Sequence, residues 1–260
     1  MQTSGPMTVP GDGRTRRPRP VPPTVWALPD GREADGDGLV GLGADLAPAT
    51  LVDAYRRGIF PWPHPGVPLP WFCPDPRAVI AADTIHVSRS LRRTLRRSGW
   101  TSTVDAATPA VLDACAERGD EGTWITEPMR TAYLQLARLG WVHSVEVWQD
   151  TQLVGGIYGV QVGAVFTGES MFHRASDASK VALLALLDRF TTAGGVLLDV
   201  QLQTPHLASL GAVEVPRAGF LAHLAEHRDR VVRMPVQRAP VSRLATRFRS
   251  SPADRTRHAG

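Results

Sequence analysis

The chain holds only two cysteines in 260 residues, Cys73 and Cys115, and no CxxC pair. That leaves no disulfide framework and no cysteine zinc site, and a reduced, cytoplasmic protein is expected. No run of about 18 apolar residues occurs, so no membrane span is expected. The first residues, "MQTSGPMTVPGDGRTRRPRPVPP", lack the apolar segment of a secretory signal. There is no GxSxG, no Gly-rich phosphate loop and no setting for a nucleophilic cysteine. The histidines, His64, His86, His143 and His173 among them, read as scattered without a metal spacing such as HxxxH. Covalent and metal-dependent catalysis find no support, and neither a cofactor nor a metal is expected.

The composition that remains, 43% hydrophobic and 21% charged, is that of a globular protein with a real core. The length exceeds the roughly 150 residues of one domain, which predicts one large or two modest domains. The net charge of +4 sits at the ends. Residues 1–23 carry four Arg against one Asp, and residues 241–260 five Arg against one Asp. Both are expected to be disordered basic tails, and the middle is slightly acidic. Any nucleic-acid surface inside it must be local.

Along the chain, "APATLVDAYRRG" predicts a short helix with Pro48 near its start and Gly58 as its stop. Seven prolines from 61 to 76 forbid a helix, and the boundary of a small N-terminal domain (24–76) is placed there. Helices are expected over 88–98, capped by Ser88, and over about 108–117 and 127–139. "HSVEVW" and "LVGGIYGVQVGAVFTGESMF" read as two or three antiparallel strands. "DASKVALLALLDRFTTAGG" reads as an amphipathic helix, and "TPHLASLG" as a short helix capped by Thr204. The order implies an α+β protein with a mostly antiparallel sheet, its larger domain spanning 77–240.

Four features could carry chemistry. In "VLLDVQLQ" (196–203), Asp199, Gln201 and Gln203 recur every second residue, which puts all three on one face of an otherwise apolar strand. Arg89, Arg92, Arg93, Arg96 and Arg97 share one helix face with no acid among them, which favours a polyanion site over a solvated charged face. Trp62 and Trp124 are either core aromatics or a stacking platform. Glu169, in an apolar strand, needs a partner: either Arg174 or a cationic substrate. His206, in the first turn of its helix, reads as structural.

The motifs "YRRGIFPW", "PDPRAV", "HVSRSLRRTLRR", "GTWIT", "HSVEVW", "LVGGIYGV", "GESMF", "ASKVAL" and "LLDVQLQTPHLASLGA" together resemble the bacterial leucyl/phenylalanyl-tRNA–protein transferases, from about Gly41 to Phe220. The resemblance implies a GNAT (acetyltransferase-like) domain behind a small N-terminal domain. It also implies transfer of Leu, Phe or Met from aminoacyl-tRNA to the N-terminal Arg or Lys of a protein, which marks that protein for N-degron degradation. Carried over, the catalytic pair is Asp199 and Gln201. The aminoacyl pocket is Met171, Leu183, Phe190 and Leu198. Trp62 and Trp124 hold the terminal adenosine and line the site, Glu169 is the acidic partner, and Arg89, Arg93, Arg96 and Arg97 meet the acceptor stem.

Ile157 stands where some relatives carry Met, and Leu186 where some carry Phe. In a regular strand Leu198 points away from Asp199, so a pocket role for both requires a bulge. A monomer is expected. The other readings are an acetyl-CoA-dependent N-acetyltransferase and a non-catalytic tRNA-binding protein. Against the first, the junction "FHRASDASK" lacks the glycines that cradle a pyrophosphate.

Overall fold

The proline-rich stretch up to residue 76 completes the first of two sheets, and the second begins at Arg77. The computed structural model describes residues 12–117 and 124–248. Its first sheet is antiparallel, in the order β1 (Leu39–Leu42), β3 (Pro70–Phe72), β2 (Phe60–Pro61). Helix α1 (Pro48–Arg56) begins on proline and buries Leu51, Val52, Ala54 and Tyr55. Gly58 ends it with φ +75°, and a side chain there would meet Leu221 at 2.5 Å, so both the turn and the close approach require glycine.

The second sheet has eight strands: β10 (Val213–Val215), β4 (Arg77–Ile80), β9 (Leu197–Gln201), β8 (Val165–His173), β7 (Gln152–Val162), β6 (Val142–Gln149), β5 (Thr101–Val104) and β11 (Ala239–Pro240). Of the strand pairings among the described residues, only β8–β9 is parallel. A parallel pair needs a crossover, and α5 (Ala178–Thr192) supplies it. The expected α+β class with a mostly antiparallel sheet is therefore what the chain adopts.

Alternation along the strands sorts the core onto two faces. Ala78, Ile80, Phe166 and Leu198 join α5 and the apolar side of α2 (Arg89–Arg97) on one side. Val79, Val165 and Leu197 face the other side, with α1, α3 (Thr108–Ala116), α4 (Glu127–Leu139) and α7 (Arg217–His227). Tyr55 and Trp71 of the N-terminal part belong to this second cluster, so the two sheets share one core. The predicted helices over 88–98, 108–117 and 127–139 fall within a residue or two of α2, α3 and α4.

Three expectations need correction. Helix α5 is not amphipathic, because its residues from Ala178 to Phe190 are buried except Lys180. A helix that is apolar all round needs cover on every side. The stretch after residue 240, expected as a disordered tail, supplies part of that cover as α8 (Leu244–Arg247) and its flanks. Val241, Leu244 and Phe248 enter the α5 cluster, and Arg243 and Arg247 pair with Asp188 at 2.9 and 3.3 Å. The N-terminal stretch is also held. Thr15 is buried and exchanges hydrogen bonds with Met234, and the Trp141 indole donates to the Arg19 carbonyl at 2.9 Å. Residues 1–11 and 249–260 lie outside the described residues.

Leu244→Ala is expected to cost about 2 to 5 kcal/mol, a fall in melting temperature of several degrees. Calorimetry checks it; an unchanged melting point would fit a disordered tail instead.

Candidate active site

The site forms where β8 and β9 part. Their ladder runs through Val165–Leu197, Phe166–Leu198 and Thr167–Asp199 and then stops. Just beyond, each strand carries one residue too many for its other neighbour. Tyr158 and Gly159 oppose Ser170 and Gly168, which leaves Glu169 over; Val79 and Ala78 oppose Asp199 and Gln201, which leaves Val200 over. Such bulges bend a strand and re-aim its side chains. Gln201 adopts a left-handed φ of 58°, rare for a non-glycine and costly unless its surroundings enforce it.

The expectation that Asp199, Gln201 and Gln203 share one strand face therefore fails. Asp199 is wholly buried, and Gln201 is half-exposed in a pocket. Gln203 lies past the strand and donates to the Ala212 carbonyl at 2.9 Å, a structural role. The bulge that a pocket role for Leu198 requires is present, but it falls at Val200, and Leu198 stays in the α5 core.

Asp199 is saturated by protein. Arg77 grips it with Nε and Nη2, both at 2.7 Å, Thr167 Oγ1 donates at 3.1 Å, and the Gln201 backbone N–H donates at 3.0 Å. Arg77 is 1% exposed and lies between the rings of Phe60 and Phe220, at 4.9 and 4.6 Å from their centroids. Burial alone would weaken the guanidinium as a base, but the charge and hydrogen bonds of Asp199 outweigh it and raise its pKa. Asp199 thus acts on Gln201 through the backbone, fixing its left-handed turn.

The pocket is lined by Phe60, Pro61, Trp62, Trp124, Glu169, Val200, Gln201 and Leu202. Both predicted tryptophans are half-buried walls of it, and Trp62 packs edge-on against Phe72 at 5.9 Å. The Gln201 side-chain NH2 reaches Glu169 Oε1 at 3.4 Å. Glu169 also accepts from Tyr55 at 2.8 Å and from Tyr133 at 3.1 Å, and the two hydroxyls are 2.6 Å apart. Burial pushes the Glu169 carboxyl up to about 7, against the pull of both tyrosines. Arg174 is not its partner, since it pairs with Glu117 at 3.2 Å.

The predicted aminoacyl-pocket residues are together but not open. Leu183, Phe190 and Leu198 are each 1% exposed in the α5 cluster, with Met171 packed against it. None lines the pocket above. On α2, Leu91 and Leu95 are buried, while Arg89, Arg93, Arg96 and Arg97 are exposed. Arg92 departs from that row. It is half-buried and donates to the carbonyls of Ala245, Phe248 and Val87, so it caps the C-terminal segment. His206 is exposed on α6 (Pro205–Ser209), outside the pocket lining.

Reading the sequence missed Arg77, Tyr55, Tyr133 and Thr167. Arg77 had a partial signal: a cation opening an apolar strand needs a carboxylate partner, but Glu146, Glu169 and Asp199 all lie in strands, and the sequence does not choose among them. The tyrosines had none, because α1 and α4 are far apart in sequence. The histidines are also less scattered than they read. His223 and His227 stand at HxxxH spacing on α7, and with Glu226 they form the one group of potential metal ligands among the described residues.

Comparison with known proteins bears on this geometry. The family model described as "Leucyl/phenylalanyl-tRNA protein transferase" matches residues 79–225, and that of its N-terminal domain matches 44–75. A leucyl/phenylalanyl-tRNA–protein transferase of Salmonella heidelberg is 50% identical over 205 residues, 79% of this chain and 88% of the relative. One of Klebsiella pneumoniae is 51% identical over 201 residues, covering 77% and 86%. Among solved structures, a GCN5-related N-acetyltransferase from Kribbella flavida aligns at TM-score 0.35 and 14% identity, over 65% of this chain and 61% of that one.

Arg77→Met strands a buried carboxylate and is expected to cost about 3 to 5 kcal/mol. Adding Asp199→Leu should return part of that loss. Urea denaturation measures both, and equal stability of the single variant and the parent would show that the pair does not hold this region together.

Proposed function

The chain belongs to the leucyl/phenylalanyl-tRNA protein transferase family, and we infer that it is an aminoacyltransferase that moves Leu, Phe or Met from aminoacyl-tRNA to the N-terminal Arg or Lys of a protein. The observation that carries this reading is that Gln201 and Glu169 meet in one pocket walled by Trp62 and Trp124. An aminoacyl ester is already activated, so an amine attacks it without ATP, metal or covalent intermediate. What the protein must supply is placement of two reactants and stabilisation of the charge that develops between them.

The aromatic walls suit the terminal adenosine, whose base stacks on a ring face. An amide is too weak a base to deprotonate an ammonium. With its NH2 turned to Glu169, Gln201 keeps its carbonyl oxygen to accept from the attacking amine. Asp199 and Arg77 position Gln201 from below and touch neither reactant. Leu183, Phe190, Leu198 and Met171 form the apolar region behind the bulges, and in this reading the aminoacyl side chain enters it from the splay. The acceptor becomes a substrate for degradation. Two free, buried cysteines fit a reducing cytoplasm, and no described helix is long and apolar enough to cross a membrane.

The exposed Arg89, Arg93, Arg96 and Arg97 face a polyanion, for which the acceptor stem is the fitting one. The acetyl-CoA reading is not favoured. Where a pyrophosphate would need free N–H groups, the start of α5 holds the Asp177 carboxylate, tied to Thr94 and Lys180 at 3.0 Å each.

Labelled Leu-tRNA and an Arg-starting peptide, incubated without CoA, are expected to give labelled peptide. Binding without transfer would leave only a tRNA-binding protein, and labelling that depends on acetyl-CoA would establish the acetyltransferase. Gln201→Ala should lower turnover by about tenfold or more, the loss of one transition-state hydrogen bond, with Leu-tRNA affinity nearly intact. A large loss of affinity at unchanged turnover would remove Gln201 from the chemistry. Arg93→Ala should weaken tRNA binding and reduce the salt slope by about 1, without changing turnover at saturating tRNA.

A further inference from the structure

Peptide-bond formation leaves a proton to be moved, and the pocket contains one group able to move it. The amine nitrogen sheds a proton as the C–N bond forms, and the ribose 3′ oxygen needs one as the C–O bond breaks. Asp199 is wholly buried and already accepts four hydrogen bonds, so it takes no part in that traffic. Gln201 has no useful basicity. Glu169 lines the pocket beside Gln201 and is held from behind by two tyrosines from separate helices, Tyr55 of α1 and Tyr133 of α4.

Counting protons explains the arrangement. Three contacts close a triangle: Tyr55 to Glu169 at 2.8 Å, Tyr133 to Glu169 at 3.1 Å and Tyr55 to Tyr133 at 2.6 Å. With Glu169 ionised, two hydroxyl protons serve three contacts. Both tyrosines then donate to the carboxylate, and the two hydroxyl oxygens face each other without a proton between them. With Glu169 protonated there are three protons for three contacts. The carboxyl donates to one tyrosine, that tyrosine to the other, and the second back to the remaining carboxyl oxygen. Apart from the proton gained or lost, the change between the two states requires only rotation of O–H bonds. Both phenols are fully buried, and burial, with the charge of Glu169, keeps their pKa well above the ordinary value, so they remain protonated throughout.

We propose that Glu169, cradled by Tyr55 and Tyr133, is the proton carrier of the transfer. As a carboxylate it takes the proton from the amine nitrogen as that nitrogen bonds to the ester carbonyl carbon. As a carboxylic acid it returns the same proton to the ribose 3′ oxygen as the C–O bond breaks, so no proton, electron or co-reactant is left over. The other groups that set its titration are Asp199 on β9, whose charge favours the acid, and Arg77 on β4, whose charge favours the carboxylate. Tyr158 of β7 backs Tyr133 in an edge-on ring contact at 5.7 Å. A carboxyl near 7 is matched to proton transfer at neutral pH in both directions.

This inference rests on the aminoacyl-transfer reading, and the wild-type assay separates the two. If the parent protein transfers leucine from Leu-tRNA to an Arg-starting peptide, that reading stands, and the variants then test the carrier. Glu169→Gln, nearly isosteric, is expected to lower single-turnover transfer about 100-fold or more, with Leu-tRNA affinity unchanged and partial rescue by Glu169→Asp. Tyr55→Phe and Tyr133→Phe each remove a hydrogen bond that favours the carboxylate, so the acid limb of the pH–rate profile moves to higher pH. Titration of the acceptor's own amine is identical in all variants and cannot produce that movement. The infrared carboxyl band of the parent enzyme, titrating near neutrality and missing in Glu169→Gln, gives a readout independent of turnover. Transfer by Glu169→Gln within about threefold of the parent, superimposed pH profiles for the tyrosine variants, or no such band, would each overturn the proposal.

Discussion

One buried ion pair fixes the geometry on which the site depends. Two charges taken out of water cost several kcal/mol each unless their hydrogen bonds are met. Arg77 and Asp199 meet most of theirs in each other, and Thr167 and the Gln201 backbone take up the rest of the carboxylate. The guanidinium faces lie against Phe60 from the N-terminal sheet and Phe220 from α7. A single contact thereby joins the start of the large sheet, its parallel strand, the N-terminal part and a late helix. Its net contribution to stability need not be large, because a well-packed apolar pair can do as well. Its effect is on placement: it enforces the left-handed turn at Gln201.

Around that anchor the site is made by strands that stop pairing. β8 and β9 run parallel for three residue pairs and then part, with an extra residue in each. The extra residue on β8 is Glu169, turned towards two buried tyrosines; the one on β9 is Val200, which turns Gln201 into the pocket. A regular sheet would have put Asp199 and Gln201 in one environment. The bulge separates a buried, fully bonded carboxylate from a half-exposed amide, and so divides positioning from chemistry.

The cover over α5 illustrates the same economy in the core. The helix is buried on nearly every side, so one sheet cannot cover it. The C-terminal segment closes the open side with Val241, Leu244 and Phe248, and its arginines neutralise Asp188. Arg92 of α2 caps the same segment, which is why four rather than five arginines of that helix are left exposed.

Much of this was legible in the sequence. Helix limits followed from Ser88, Pro48 and Gly58, because capping chemistry is local. The hairpins followed from alternation, and the polar residues of β9 stood out against their apolar neighbours. Motif order named the family and selected Trp62, Trp124, Glu169 and Gln201, which do share a pocket. What the sequence could not decide was which charge meets which. Arg77 lies 122 positions from Asp199, and Tyr55 and Tyr133 lie 114 and 36 from Glu169. Such pairings depend on strand order, register and two bulges, and a bulge leaves no periodic trace because it is a break in periodicity. The tails misled for a related reason. Arginine and proline predict solvation until a buried helix elsewhere in the chain offers them a surface, and only the tertiary structure shows that it does.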